Sequence, residues 1–313
     1  MDIINKTIKD IKSLKIQGAS NVRKKAIEAL LISSTKSKAK NEKEFRHEFL
    51  DNAQNLFKSR PTEPELRIAL RIIKKSISQK EMTISEMQKR IKETINTYEL
   101  NRSKAMDKMA LFGSELIKPN STILTICHSS TVVKMLIKAK EKITKVYCCE
   151  TRPLYQGRIT ANQLANAGLN VTLIVDNAAS TILKECDYFF SGADAILADG
   201  DVVNKIGTSQ ISALCKKYEV KHYVVASTQK FEPETFFGKD EPIEQRSELE
   251  VITKKDPNYS KKIHVLNPAF DRTDSNQIEG IICEIGIITP QALTTMLFEK
   301  LDLEKHEKDF LKL

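Results

Sequence analysis

Tryptophan is absent from this 313-residue sequence, and aromatic residues together make up only 6% of it. The six cysteines form no Cys-x-x-Cys pair, and no histidine stands at a metal-ligand spacing from them. No apolar run reaches the roughly 18 residues that a membrane span requires, and residues 1–15 lack the apolar core of a signal peptide. We therefore expect mostly buried thiols, no metal site, no membrane association and a cytoplasmic location.

A formal net charge of +9 is the one bulk feature that suggests a polyanion as a partner. The lysines are spread along the chain rather than gathered in one stripe, and aromatic residues for stacking on single strands are scarce near them. A generally lysine-rich composition explains the charge more simply, so RNA binding is the least favoured function. The 41% hydrophobic and 29% charged residues are typical of a globular protein with two modest domains.

Residues 1–112 predict an all-helical N-terminal domain. Apolar residues recur there at spacings of three and four, and glycines are few. Two polar breaks interrupt the pattern: QGAS at 17–20, where Ser20 could cap the next helix, and SRPT at 59–62. Both breaks contain polar groups that could point at a ligand.

Residues 113–313 predict a Rossmann-like α/β domain. Short apolar strands alternate with helices of about ten residues, a pattern typical of a parallel sheet covered on both faces. The predicted strands lie at 121–126, 146–149, 171–175, 188–197, 221–226 and 263–266, with a turn at 267–271 and a closing helix from 290. A G-x-G-x-x-G fingerprint is absent, so a dinucleotide is not the first ligand expected.

The carboxyl edge of this sheet is the predicted binding site, because ligands of open α/β sheets bind there. The residues that follow the strands supply a thiol, carboxylates, cations and hydroxyl or amide groups. Such a set suits an anionic, hydroxylated small molecule. It includes Cys127, His128, Ser129, Ser130, Arg152, Gln156, Asp176, Asp194, Asn204, Lys205 and Lys230.

Cys127 immediately precedes a predicted helix, so its sulfur would lie near backbone N–H groups that favour a thiolate. The same N–H groups, with Ser129 and Ser130, could instead hold a phosphate. A buried structural cysteine is equally compatible with the position. The neighbouring His128 could act as a base, although a histidine beside a helix start is more often structural.

Asp194 falls between apolar residues of a predicted strand. A carboxyl group kept neutral in such surroundings could act as a general acid; a structural contact with Asn204 or Lys205 is the alternative. Lys205 also places a cation at a helix start, as a phosphate or hydroxyl group would require. Asp199 and Asp201 lie in a predicted turn and are better explained as turn formers.

Five motifs together resemble a known superfamily: ILTICHSS at 123–130, ETRPLYQGRITA at 150–161, SGADAILADGDVVNKIGT at 191–208, KFEPETFF at 230–237 and NPAFD at 267–271. The superfamily comprises ribose-1,5-bisphosphate isomerases, methylthioribose-1-phosphate isomerases and the alpha, beta and delta subunits of translation initiation factor 2B. The resemblance covers nearly the whole chain. It is strongest to the archaeal ribose-1,5-bisphosphate isomerases and initiation-factor-2B-like proteins.

This resemblance implies an aldose–ketose isomerase that converts ribose 1,5-bisphosphate to ribulose 1,5-bisphosphate and needs no metal or organic cofactor. Cys127 and Asp194 match the catalytic pair of the isomerases, which the regulatory subunits generally lack. The positions that match contacts to the sugar and its phosphates are Gln17, Gly18, Ala19, Arg60, Gln156, Asn204, Lys205 and Lys230. A homo-oligomer, dimeric or hexameric, is also implied, and activation by AMP or another nucleotide stays open.

Two residues depart from the pattern of the isomerases. Gln17 replaces the arginine of an R-G-A motif, and a glutamine supplies neither the charge nor the two-pronged geometry of a guanidinium. Asp199 replaces an asparagine and adds a negative charge. The alternative function is therefore a non-catalytic regulatory subunit that binds a phosphorylated sugar or nucleotide and an initiation-factor partner.

Overall fold

The structure, a computed structural model, describes residues 2–13, 15–16, 18–60, 63–79 and 81–299. The chain divides into two compact units, Met1–Lys104 and Ala105–Leu313, called here the amino-terminal and carboxy-terminal units. The division falls inside one long helix, Ile84–Leu116. The sequence-based boundary after residue 112 lies in the same helix and stays a prediction. No helix in the described ranges is long and apolar enough to cross a membrane.

The amino-terminal unit is built from helices. They are α1 (Ile3–Lys12), α2 (Ala19–Thr35), α3 (Glu42–Ser59), α4 (Pro64–Ser76) and α5 (Ile84–Leu116). Their apolar stripes meet in one core that includes the fully buried Leu30, Phe45 and Leu56. The helical prediction is confirmed, but Ser20 is not the cap of α2. Gly18 is the N-cap residue at a φ of +79°, which glycine adopts without strain, and Ser20 lies inside the helix.

A buried ion cluster ties α2, α4 and α5 of this unit together. Arg23 is fully buried and bonds to Glu99, while its Nε lies 3.4 Å from a Glu65 carboxylate oxygen. Arg102 contacts the same Glu65 oxygen at 3.4 Å and also Ser20. Burial alone would lower the pKa of Arg23, but the bond to Glu99 and the nearby charges raise it overall. Arg23 therefore keeps its charge, with the carboxylates of Glu65 and Glu99 as its ion-pair partners.

The carboxy-terminal unit has a seven-stranded sheet of order β10-β9-β7-β4-β1-β2-β3, parallel except at β10. The strands are β1 (Ser121–Thr125), β2 (Ile143–Cys149), β3 (Val171–Ile174), β4 (Tyr188–Ser191), β5 (Ala195–Ile196), β6 (Val202–Lys205), β7 (Lys221–Val225), β8 (Phe270–Thr273), β9 (Gly280–Cys283) and β10 (Gly286–Ile288). The helices are α6 (Ser130–Lys138), α7 (Gln156–Asn166), α8 (Ala179–Ile182), α9 (Thr208–Tyr218) and α10 (Pro290–Glu299).

Apolar clusters lie on both faces of this sheet, as the nearly continuous apolar strands predict. Cys148 belongs to the cluster on one face, and Cys149 belongs to the cluster on the other. Adjacent residues of a strand point to opposite faces, so this separation follows from the pleat. The predicted Rossmann-like architecture is confirmed.

A second, three-stranded sheet of order β5-β6-β8 was not predicted. The apolar run at 188–197 is two strands, β4 in the large sheet and β5 in the small one, and Asp194 lies in a bend between them. Placing Asp194 inside a strand was therefore wrong. The predicted strand at 263–266 was also wrong: Ile263 and Leu266 are exposed, and the chain pairs with β6 later, through β8. Both errors arise because hydrogen-bonded pairing with distant segments, rather than the apolarity of the local sequence, decides where these strands form.

Candidate functional site

The order of the strands reverses between β1 and β4. From β1 the chain proceeds to β2 and β3 on one side, whereas β4 and β7 lie on the other side of β1. Strands β1 and β4 pair in parallel, with Thr125 opposite Phe190, so their following loops leave the same edge of the sheet. Cys127 lies in the first of these loops and Asp194 in the second. Such a switch point is where open α/β sheets bind ligands.

The backbone of Cys127 is in the left-handed region, with a φ of +63°. For a residue with a side chain this conformation costs about 1–2 kcal/mol. Two hydrogen bonds hold it: the Cys127 N–H donates to Thr151 Oγ1 at 2.8 Å, and Thr160 Oγ1 donates to the Cys127 carbonyl at 2.7 Å. Both threonines lie in the ETRPLYQGRITA motif, but the sequence alone does not indicate that their hydroxyl groups bind the backbone of Cys127.

Burial of the sulfur raises the pKa of Cys127, and the carboxylates of Asp194 and Asp176 raise it further. The charge of Lys205 and the backbone N–H of His128 act in the opposite direction but do not outweigh burial. The N–H group that follows Cys127 favours a thiolate, as the sequence indicates, but burial has the larger effect. The group rests as a thiol, and its residue is partly exposed while the other five cysteines are buried.

Asp194 is held from two directions. Its backbone N–H donates to the Val203 carbonyl at 2.8 Å, which ties the bend to β6, and the ammonium group of Lys230 donates to the carbonyl of Ala193. The preceding Gly192 lies so close to Ser129 that a Cβ added there would sit 3.1 Å from the Cβ of Ser129. The loops after β1 and β4 are thus packed together, and the structure brings Cys127 and Asp194 into electrostatic range.

The segment that follows β6 approaches the same loop. Asn204 and Lys205 are both buried at the end of β6, and Asn204 Nδ2 donates to Thr208 Oγ1 at 2.9 Å. Gly207 has a φ of +99°, and a Cβ there would come within 3.2 Å of Ile126 Cδ1. Because Ile126 precedes Cys127, the segment after Asn204 and Lys205 lies beside the loop that carries Cys127, and the charge of Lys205 acts on the Cys127 thiol.

The N-terminus of α9 is occupied by a side chain that sequence reasoning did not select. Asp271 Oδ2 accepts from the N–H of Gly207 at 2.7 Å and from the N–H of Ser209 at 3.1 Å. These N–H groups are therefore not available to the phosphate that the sequence predicts beside Lys205. Burial raises the pKa of Asp271 to about 6, against the lowering effect of these N–H groups and of Lys205.

On the other side of Cys127, the loop between β2 and α7 carries Arg152, and Gln156 is the first residue of α7. Asp176 anchors this loop by accepting from the backbone N–H of Arg152 at 2.7 Å. The Arg152 guanidinium donates to the Tyr155 hydroxyl at 2.5 Å and to the Val251 carbonyl at 3.0 Å. Gln156 begins α7, and its buried Oε1 has no hydrogen-bond partner among the described residues. Gln156 is therefore better placed than Arg152 to gain a partner from a ligand.

At the start of α6, Ser129 is the N-cap residue and Ser130 is exposed in the first turn. His128 Nδ1 lies 3.1 Å from Thr160 Oγ1, whose hydrogen is given to the Cys127 carbonyl. His128 Nδ1 must therefore carry the donated hydrogen, which leaves Nε2 as an acceptor. Burial lowers the pKa of His128, so the imidazole is neutral near pH 7.

The remaining predicted contacts belong to the amino-terminal unit. Gln17 lies outside the described residues. Gly18 and Ala19 form the beginning of α2, and Arg60 is the C-cap residue of α3 with its Nε 3.7 Å from a Glu63 carboxylate oxygen. Their roles in binding stay predictions.

Asp199 has a structural explanation. It lies in the turn between β5 and β6, where its carboxylate pairs with Arg272. The same arginine binds Asp201 Oδ2 at 2.7 Å, and Asp201 Oδ1 accepts from the Ser275 N–H at 2.8 Å. The turn is separated from Lys205 by the length of β6, roughly 13 Å at the usual rise along a strand. The additional negative charge is therefore neutralised away from the predicted catalytic pair.

The fold and the site define a Rossmann-like protein with a thiol and a carboxyl group at its topological switch point. No cluster of three histidine, cysteine or acidic side chains suitable for a metal ion occurs in the described ranges. The chain belongs to the Initiation factor 2 subunit family, whose model matches residues 15–290. This match confirms the resemblance that the five motifs indicate.

Relatives of two kinds are similar to almost the whole chain. Ribose 1,5-bisphosphate isomerase from Methanocaldococcus jannaschii is 38% identical over 293 residues, which cover 93% of each protein. The crystal structure of 5-methylthioribose 1-phosphate isomerase from Pyrococcus horikoshii has a TM-score of 0.81 and 31% identity, covering 95% of this chain and 88% of that one. Translation initiation factor eIF-2B from P. horikoshii has a TM-score of 0.76 and 27% identity, covering 92% and 97%.

Proposed function

We propose that this chain is a sugar-phosphate isomerase that converts ribose 1,5-bisphosphate to ribulose 1,5-bisphosphate. The observation that carries the proposal is the placement of Cys127 and Asp194 on adjacent loops at the switch point. The isomerase relatives support the class of reaction. The choice of ribose 1,5-bisphosphate follows the relative named for it.

The chemistry requires one proton donor and one proton acceptor. In a 1-phosphorylated aldose, C1 is locked in the ring. The Asp194 carboxyl group would protonate the ring oxygen as its bond to C1 breaks, while the Cys127 thiolate would take the proton from C2. The resulting enol would return its O2 proton to Asp194, and the Cys127 thiol would protonate C1. Both groups thus recover their starting states, and no redox cofactor enters the balance.

The starting thiolate and the protonated Asp194 would arise together when the Cys127 thiol passes its proton to the Asp194 carboxylate, a transfer that burial of the sulfur opposes. Lys205 and the His128 N–H are the groups that favour it. A cation and an N–H donor of this kind also stabilise the negative charge that develops at the enol oxygen. Lys205 therefore has two uses in the proposed reaction, and it is the side chain on which the activity depends most after the catalytic pair.

Substrate contacts are proposed at the positions that the resemblance and the site indicate. Gln156, Asn204, Lys205 and Lys230 would bind the sugar, and Ser129, Ser130 and Arg152 would supply further donors for its phosphates. Gly18, Ala19 and Arg60 are proposed for the second phosphate. We further propose a homo-oligomer and activation by AMP or another nucleotide, both of which rest on the resemblance.

The test is turnover of ribose 1,5-bisphosphate by the purified chain, with and without AMP. Cys127→Ser and Asp194→Asn are each expected to lower kcat by at least a hundredfold, the usual contribution of a general acid or base, while thermal unfolding stays near that of the wild type.

Cys186→Ser and Asp199→Asn are the matched controls. Cys186 precedes β4 and so lies at the opposite edge of the sheet, and Asp199 is paired with Arg272. Both variants should turn over substrate like the wild type. A wild-type chain that binds ribose 1,5-bisphosphate in calorimetry but isomerises no pentose 1-phosphate would favour the regulatory alternative instead.

A further inference from the structure

Glu284 accepts three hydrogen bonds from the segment that follows β7, and no step of the proposed reaction uses it. Its Oε1 accepts from Ser227 Oγ at 3.2 Å and from Thr228 Oγ1, and its Oε2 accepts from the Thr228 N–H at 3.1 Å. Ser227 is the cap of the 3-10 helix Thr228–Lys230, and these four residues are called here the β7 turn. Both carboxylate oxygens of Glu284 are therefore engaged in fixing the β7 turn.

The β7 turn lies beside the bend that carries Asp194. Strands β9, β7 and β4 are adjacent and parallel, so the segments that follow them leave the same edge of the sheet. The residues immediately before Asp194, the β7 turn and Glu284 are Ala193, Ala226 and Cys283, and all three are buried in one apolar cluster. This shared packing keeps the Glu284 carboxylate, the turn and the bend close together.

Lys230, the last residue of the β7 turn, contacts the bend directly. Its ammonium group donates to the carbonyl of Ala193, the residue before Asp194. Two residues after Lys230, the Glu232 N–H donates to the Ile196 carbonyl at 2.8 Å. Lys230 is thus held by the turn on one side and by the contact with β5 on the other, and it spans the bend between them.

We propose that Glu284 is a positioning residue for Asp194. By fixing the β7 turn it holds Lys230 against the Ala193 carbonyl, and this contact fixes the bend from which the Asp194 carboxyl group acts. The catalytic part of this inference rests on the proposed function, whereas the coupling of Glu284 to the bend does not. Glu284 does not touch the reacting atoms, and it acts through the geometry of its hydrogen bonds rather than through its charge.

The first measurement is hydrogen exchange at the backbone N–H of Asp194. This N–H donates to the Val203 carbonyl at 2.8 Å, so its exchange rate reports whether the bend stays closed, and no turnover is required. Glu284→Ala removes all three acceptor contacts and is expected to raise this rate about tenfold, as measured by NMR or by mass spectrometry at single-residue resolution. The amides of β1 should exchange as in the wild type.

Glu284→Gln separates geometry from charge. Its carbonyl oxygen can accept from the Thr228 N–H, and its amide group can donate to the hydroxyl oxygens of Ser227 and Thr228, which also accept hydrogen bonds. Exchange at Asp194 should therefore stay within about twofold of the wild-type rate.

Glu279→Ala is the matched control. Glu279 precedes the same strand, β9, at the opposite edge of the sheet, and it forms an exposed pair with Lys221 at 3.9 Å. Removing this carboxylate should leave both exchange at Asp194 and turnover unchanged.

Lys230→Met tests the link between the turn and the bend, because it keeps most of the length of the side chain but removes the ammonium group. Exchange at Asp194 should rise to about the rate found in Glu284→Ala. Adding Glu284→Ala to Lys230→Met should change that rate by less than about twofold, because the proposed coupling runs through Lys230.

Turnover of ribose 1,5-bisphosphate tests the catalytic part. Glu284→Ala should lower kcat about tenfold, since small displacements of a reacting group are costly, and KM should change by less than about threefold. Glu284→Gln should restore kcat. A rise in KM with kcat unchanged would show that the β7 turn serves substrate binding alone and would overturn the role in positioning Asp194.

Wild-type exchange at Asp194 in Glu284→Ala would overturn the proposal, and so would a full effect of Glu284→Ala in the Lys230→Met background. Equal effects of Glu284→Gln and Glu284→Ala would also contradict it, because charge rather than geometry would then be responsible. If the coupling is observed but the wild type isomerises no sugar phosphate, the proposed function fails and the coupling of Glu284 to the bend stands. If turnover is observed without the coupling, the reverse holds.

Discussion

At the scale of single residues, His222 is a titratable group with a partner at each ring nitrogen. It is buried between two serines: Nε2 lies 2.9 Å from Ser191 Oγ and Nδ1 lies 2.8 Å from Ser212 Oγ. A neutral imidazole donates through one nitrogen and accepts through the other, so two hydroxyl groups satisfy it completely. Ser191 ends β4 three positions before Asp194, so the neutral His222 links the end of this strand to Ser212 in α9.

Acid should destabilise the protein through His222. Burial lowers the pKa of His222 to about 3, whereas the unfolded value is about 6.5. The unfolded chain therefore binds more protons between these values, so the contribution to stability is complete above pH 6.5 and is lost as pH falls toward 3. From pH 7 to pH 5 the loss should be about 2 kcal/mol.

The measurement is urea unfolding at pH 7 and pH 5 for wild type and His222→Gln, which keeps an amide donor and acceptor. The variant should be less stable at pH 7 and should lose about 2 kcal/mol less than the wild type on acidification. Parallel pH dependences would show that His222 does not titrate between the folded and unfolded states as described.

At the scale of elements, the site depends on how closely loops approach strands. Gly157 in the first turn of α7 illustrates this: a Cβ added there would lie 1.7 Å from the Cys149 carbonyl oxygen at the end of β2. The contact is with backbone, so no side-chain rotation relieves it. This close approach allows Thr160 of α7 to reach the Cys127 carbonyl.

Gly157→Ala is accordingly expected to be severely destabilising, by roughly 3 kcal/mol or more, because it overpacks a helix against a strand. Gly192→Ala is the matched control, since its Cβ would meet the Ser129 side chain at 3.1 Å, a contact that a small shift can accommodate. Thermal unfolding of both variants checks the difference. A Gly157→Ala variant as stable as the wild type would contradict the packing described.

The sequence predicts elements well where one local pattern decides them. The helices of the amino-terminal unit and the parallel strands β1, β2, β3, β4 and β7 follow from periodicity. The hairpin β5–β6 and its partner β8 do not, because β5 has two residues and β8, FDRT, is half polar. The roles of Cys127, Asp194 and Lys205 could be proposed from the sequence, whereas the contacts made by Asp271, Thr151 and Thr160 could not. Their contributions consist of contacts to the backbone of residues distant in sequence.

At the scale of the whole molecule, the two units have separate apolar cores. The core of the amino-terminal unit gathers residues from Ile4 to Tyr98, and the clusters of the carboxy-terminal unit begin at Ala105. The catalytic pair that we propose lies wholly in the carboxy-terminal unit. A substitution in one of these cores is therefore expected to destabilise mainly the unit that contains it.

Arg23→Met should destabilise the amino-terminal unit by about 3–5 kcal/mol, because Glu65 and Glu99 lose a buried cationic partner. Hydrogen exchange followed by mass spectrometry should show faster exchange in α2 and α4, with β1 and β4 protected as in the wild type. Lys25→Met, which breaks an exposed pair with Glu28, is the control and should change exchange little. Equal acceleration in β1 would show that the two units unfold as one.

The left-handed backbone of Cys127 has a consequence for evolution. A thiol stands at a position where glycine would relieve the strain of a φ of +63°, so the chemistry that we propose and the stability of the fold make opposite demands on this residue. Cys127→Gly should therefore unfold at a temperature no lower than Cys127→Ala, which keeps the strain; a lower midpoint would contradict this. In a chain whose function did not need the thiol, glycine at residue 127 would be the more stable choice.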